Sequence, residues 1–162
     1  ALALDLLADI LGSGTQSRLY KSLVIDQKIA AYAAAWYSGD QMDSGTFGVY
    51  GAPNPGVDVA KVEAAMDAVL ADLLKNGVTQ QELDRVRNQA IAERVYTLDN
   101  QAALARMAGV ALTTGLSARS IFDRDVEIGK VTLDDIRAAA ARIIVLKRSV
   151  TGVLLPEPQT QN

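Results

Sequence analysis

Neither histidine nor cysteine occurs anywhere among the 162 residues. A chain so composed has no disulfide, and no imidazole or thiolate with which to fasten itself around zinc, so its fold must rest on apolar burial. The same absence removes a Ser-His-Asp triad and a Cys-His dyad. Apolar side chains make up 49% of the sequence. At this length one domain, or two small lobes sharing one core, buries most of the surface that the unfolded chain exposes. Sixteen basic residues against nineteen acidic, a net charge of −3, leave no electrostatic footprint for nucleic acid. No apolar run approaches the length of a bilayer span, and no basic stretch followed by an apolar one opens the chain as a secretory signal. Zero cysteine suits a reducing cytoplasm and many periplasmic proteins alike.

The first eleven residues predict a helix that is apolar nearly all round. Leu2, Leu4, Leu6, Leu7, Ile10 and Leu11 encircle it, and only Asp5 and Asp9, four apart, form a polar stripe. Such a helix belongs in a core. It has no capping residue before it, which leads us to expect a longer chain upstream.

Glycine-rich Gly12–Thr15 closes that helix, and a second is predicted over about 17–26 with Leu19 and Leu23 on one face. The run 29–37 is rich in alanine, which suits a helix, but Tyr32, Trp36 and the loop signal Ser38-Gly39-Asp40 favour a strand. A second strand over 46–51 sets Phe47 and Val49 against Thr46, Gly48 and Tyr50, giving an antiparallel hairpin. Ala52-Pro53-Asn54-Pro55-Gly56 is a break. Helices follow. Val59, Val62, Met66, Val69 and Leu73 mark one that ends at Asn76-Gly77. Thr79-Gln80-Gln81-Glu82 is a capping box opening another through about Leu98. Further helices are expected over about 101–114 and 117–128. Thr132-Leu133-Asp134-Asp135 starts the last, with Leu133, Ile136, Ala140 and Ile143 as its buried stripe. A closing strand is expected over 149–155, stopped by Pro156 and followed by a frayed tail over 157–162. The fold class is therefore α+β, an antiparallel sheet backed by helices on one face. Three strands make a thin sheet, so one or two more are expected from an upstream segment.

Chemical motifs are few. Gly12-Ser13-Gly14-Thr15-Gln16-Ser17 lacks the last glycine of a dinucleotide loop and follows a helix, not a strand, so it is read as a helix–helix turn. Asp40 and Asp43 lack the dense oxygen spacing of a calcium loop. Asp134-Asp135, Glu82 and Asp84 suit helix starts. Tyr32, Trp36 and Tyr37 suit an aromatic platform or, more simply, sheet packing. No self-sufficient active site emerges from these residues.

Three segments together resemble the insulinase/pitrilysin family of zinc peptidases, the inverted zincins, of the mitochondrial-processing-peptidase type. Ile10–Val24 is similar to that family's helix, glycine loop and "SRL" helix. Gly77–Gln89 is similar to its G-V-T-x-x-E-L-x-R-x-K/R-N-Q helix start, and Val150–Pro156 to a closing strand. The resemblance implies a half-clamshell domain, residues 1–156, truncated at its N-terminus. It implies a zinc site, H-x-x-E-H plus a later Glu, in another domain. Nothing in this chain matches that motif, so catalytic and metal residues are expected to be absent here, with zinc in the partner domain or subunit. The implied partners are that zinc-bearing domain, of the same chain or a separate subunit, and a peptide substrate. The implied function is a non-catalytic domain forming part of a peptide-binding chamber wall. The alternative is a structural or assembly domain of a proteolytically inactive homologue. The family's substrate-binding Arg and Tyr, seven residues apart, fall on Val24 and Ala31. Tyr32 lies one residue on, which in a regular strand turns it to the opposite face. Arg18 and Tyr32 are kept as substrate-binding candidates.

Overall fold

The computed structural model describes residues 1–39, 45–115, 117 and 119–155. Asp40, Asp43, Pro156 and the expected tail 157–162 lie outside these residues.

Helix α1 (Leu2–Gly12) is the centre of the core. Its Leu6, Leu7, Ile10 and Leu11 are all but sealed from solvent, as an all-round apolar helix requires. After a turn closed by Ser17, whose buried hydroxyl donates to the Gly14 carbonyl at 2.8 Å, the chain winds through a π-helical stretch, Tyr20–Asp26. The hairpin follows: β1 (Ala30–Ser38) pairs antiparallel with β2 (Thr46–Pro53). Then come α2 (Val59–Asn76), α3 (Gln80–Leu98), α4 (Gln101–Thr113), α5 (Arg119–Lys130) and α6 (Leu133–Ile143), and a 3-10 turn at Leu146–Arg148.

Local chemistry places the helix starts. Thr79 accepts from the Glu82 amide at 3.2 Å while the Glu82 carboxylate accepts from the Thr79 amide at 2.8 Å, the reciprocal box expected of that spacing. Thr132 and Asp135 repeat the arrangement at α6. Asp58 and Asn100 cap α2 and α4 by accepting from amides two or three residues on.

The alanines of β1 have a packing reason. A Cβ at Gly12 would fall on the backbone nitrogen of Ala35 and 2.5 Å from the Ala34 carbonyl carbon. Helix and strand therefore meet backbone to backbone, which only small residues on both sides permit. Ala33, Ala35, Tyr37, Phe47 and Val49 face this helical layer and join the core. The layer behind it holds α2, α3 and α6 through Val62, Leu73, Leu83, Val86 and Ile136, all buried.

Two expectations need correction. Among the described residues the sheet has two strands, and residues 149–155 are not a strand. Val150 and Leu154 are 98% and 97% exposed. A strand-prone sequence without a neighbouring strand has no ladder to complete, so its amides stay with solvent. The second correction concerns β1, which is not regular. Ala30 lies opposite Pro53 and Tyr32 opposite Ala52, so Ala31 is an extra residue in a bulge. Ala31 and Tyr32 are consequently both exposed, and the one-residue offset does not send them to opposite faces.

Candidate functional site

The outer face of the hairpin is the side turned away from the helices. Strand alternation, reset by the bulge, puts Tyr32, Ala34 and Trp36 on it from β1 and Gly48, Tyr50 and Ala52 from β2. Large rings alternate with residues that have small side chains or none. Tyr32 and Tyr50 meet edge to face with ring centroids 6.0 Å apart. The indole of Trp36 lies over Gly48, where an added Cβ would come within 2.5 Å of its Nε1. Glycine opposite tryptophan lets the ring lie flat on the partner strand. Tyr32, Trp36 and Tyr50 remain 49%, 44% and 48% exposed, the signature of a surface with an apolar body and polar tips. Of the three aromatic residues weighed as a platform, Tyr37 instead joins the inner layer against Phe47, with centroids 6.5 Å apart. Tyr50 takes its place; the alternation in β2 was the signal that finds it.

No third strand covers either edge of this hairpin among the described residues. The bulge at Ala31 and the missing amide hydrogen of Pro53 disrupt pairing at the same end of the ladder. The edges from Ala33 to Ser38 and from Thr46 to Ala52 carry regular backbone.

Arg18 occupies a different place. Its guanidinium forks onto the Glu82 carboxylate, Nε to Oε1 at 2.7 Å and Nη2 to Oε2 at 2.8 Å. Nη2 also donates to the Gly77 carbonyl at 2.8 Å, and Nη1 lies 3.4 Å from Asp72. Burial alone would raise the Glu82 pKa, but the paired Arg18 donors and the Thr79 amide and hydroxyl outweigh it and hold the carboxyl at about 2. The hydrogen bond to Glu82 first, and the charges of Glu82 and Asp72, push the Arg18 pKa further up against the effect of burial. Arg18 therefore ties the turn after α1 to the start of α3. It lines an open cleft with Lys21, Asp26 and Asp72 in which Tyr32 has no part. Of the two positions aligned with the family's Arg and Tyr, Val24 packs against the core and Ala31 stands exposed on the bulge.

A second cleft of about 460 Å³ opens between α1, β1, α3 and α5, with Asp5, Asp9, Glu93, Arg94 and Arg124 among its walls. The carboxylates here do not converge: among the described residues no three acidic side chains are placed to hold a metal ion. With no imidazole or thiolate available, the residues of this chain do not fit a zinc site. No helix among the described residues is long and apolar enough to cross a membrane.

A family model described as the peptidase M16 inactive domain matches residues 1–90. An uncharacterized zinc protease of Streptomyces coelicolor is 30% identical over 153 residues, covering 93% of this chain and 32% of its own length. The chain thus spans about a third of that curated relative. A crystal structure of a protein provisionally described as a zinc protease, from Bordetella pertussis Tohama I, superposes with a TM-score of 0.83 at 28% identity, covering 96% of this chain and 84% of that one. The inactive peptidase domain of another such protein, from Bordetella parapertussis, gives 0.86 at 26% identity, covering 99% and 86%.

Proposed function

Since the chain belongs to the peptidase M16 inactive-domain family, we propose that it is the peptide-holding wall of a zinc metallopeptidase chamber, with no chemistry of its own. The observation that carries this reading is the outer hairpin face: Tyr32, Trp36 and Tyr50 exposed side by side, above strand edges that no described residue pairs. An extended peptide suits such a surface. Its backbone adds to a strand edge, and its alternate side chains lie on the rings. Tyr32 is assigned to the peptide contact, since the bulge turns it outward beside the place aligned with the family's Tyr. Arg18 positions α3 and the turn before it. The metal and the general base belong to a zinc-bearing partner domain, in the same chain or in another subunit, because the side chains here do not fit zinc.

Calorimetric titration of the chain with an unstructured peptide of about ten residues tests this, ten being enough to cross the hairpin as a strand. Saturable binding is expected. Tyr32→Ala and Trp36→Ala should each weaken it about tenfold, the loss of roughly 1.4 kcal/mol of ring contact. Phe122→Ala, on the exposed side of α5, should leave affinity unchanged. The peptide should leave the cell intact with zinc added. Equal affinity in all variants, no binding at all, or chelator-sensitive cleavage would each sink the reading.

A further inference from the structure

The cleft between α1, β1, α3 and α5 takes three consecutive residues of β1 into its wall, Ala35, Trp36 and Tyr37, and among the described residues none of β2. A cavity beneath a strand touches every second residue; one that touches three in a row runs along the strand's edge. The cleft therefore adjoins the edge of β1 that no described strand pairs, next to the regular stretch Ala33–Ser38. Trp36 belongs to both surfaces: it stands on the outer face and borders the cleft. A strand added to this edge sends every second side chain outward, beside Tyr32 and Trp36. The side chains between them point inward, toward α1, α3 and α5, and so into a space of about 460 Å³.

The walls suit one kind of side chain. Leu2, Leu6, Met107 and Ile128 offer apolar surface to a long stem. The charges beside them do not cancel. Both cations of the wall are already engaged, Arg124 with Asp5 at 2.7 Å and the buried Arg94 with Asp125. Asp9 and Glu93 line the same cleft, and among the described residues neither is in an ion pair; Glu93 accepts from the neutral amide of Gln89 at 2.9 Å. Burial pushes the Asp9 carboxyl up to about 6, which still leaves it ionised at about pH 7.5. Resting on the peptide-holding reading, we propose that the peptide adds to the edge of β1 rather than β2, and that the cleft is a side-chain pocket selecting a lysine or arginine on it. The stem lies on the apolar wall and the cation beside Asp9 and Glu93. A neutral head leaves those carboxylates without a counter-charge, and an acidic one is repelled by them.

Two measurements on the intact chain test it at about pH 7.5. Peptides of about ten residues, otherwise uncharged and blocked at both ends, carry lysine, norleucine or glutamate at the centre and are titrated by calorimetry. Lysine should bind about tenfold more tightly than norleucine, which has the same stem without the ammonium group, and glutamate most weakly. Asp9→Asn and Glu93→Gln, both near-isosteric, should each shrink that preference, and the double variant should abolish it. In the second measurement the Met107 methyl, followed by NMR, should shift on saturation with the lysine peptide, while that of Met66 on α2 stays in place. Lysine binding no tighter than norleucine, a preference untouched in the double variant, or an unmoved Met107 methyl would overturn the pocket. Where the peptides bind equally and still lose affinity with Trp36→Ala, the peptide-holding wall stands and only the pocket falls; where none of them binds, both fall.

Discussion

Gly12→Ala is expected to destabilise the chain by about 3–5 kcal/mol, read as a large drop in the urea midpoint with an unchanged slope. The reason is a backbone contact with no slack. The new methyl would occupy the position of the Ala35 nitrogen and crowd the Ala34 carbonyl carbon, and neither is the end of a flexible side chain that swings aside. Relief requires α1 to move off β1, and α1 carries Leu6, Leu7, Ile10 and Leu11, each no more than 1% exposed. Gly109→Ala is the matched control. That glycine lies inside the exposed run of α4 with nothing within 4 Å of an added Cβ, so alanine there should raise stability by about 0.5–1 kcal/mol through helix propensity alone. Equal effects at the two glycines would mean that helix propensity, not close approach, governs Gly12.

Arg18→Ala is expected to cost about 2 kcal/mol at neutral pH. The side chains of Arg18 and Glu82 are 18% and 24% exposed, so removing the guanidinium leaves a largely buried carboxylate held by Thr79 alone and the Gly77 carbonyl without its Arg18 donor. The loss stays below that of a fully buried pair because some solvent screens it. Its pH dependence is distinctive. Glu82 has its pKa lowered by folding, so its contribution is present above the unfolded value near 4.5 and disappears as pH falls through about 2. Wild type and Arg18→Ala should therefore differ most above pH 5 and converge toward pH 2, in denaturation curves taken across that range. A difference that persists undiminished in acid would assign Arg18 a packing role without the ion pair.

These two residues mark the limit of what the sequence discloses. Glu82 is legible as half of a capping box because its partner Thr79 is three residues away and the spacing itself is the signal. Its second partner, Arg18, is 64 residues distant, and nothing in either segment announces the pairing. Gly12 reads as a helix terminator, and its contact with Ala34 and Ala35 exists only once α1 lies on β1. The inner and outer faces of β2 were legible from the alternation of Phe47 and Val49 with Gly48 and Tyr50, since period two is a local property. The faces of β1 were not, because the bulge at Ala31, the strand's second residue, shifts the alternation and leaves no compositional trace. Ser149–Leu155 carries strand propensity that goes unused, for a strand is defined by its neighbour as much as by its sequence. The family, by contrast, was legible from three short segments taken together, and the match of the inactive-domain model to residues 1–90 agrees with it.

The outer face of the hairpin has a direct test in amide hydrogen exchange of the chain with and without a saturating extended peptide. Peptide should slow exchange within Ala30–Ser38 or Thr46–Pro53, where strand addition supplies acceptors to edge amides, and leave α4 and α5 unchanged. Protection confined to the helices, with both strands exchanging as before, would contradict a peptide-holding wall built on this hairpin.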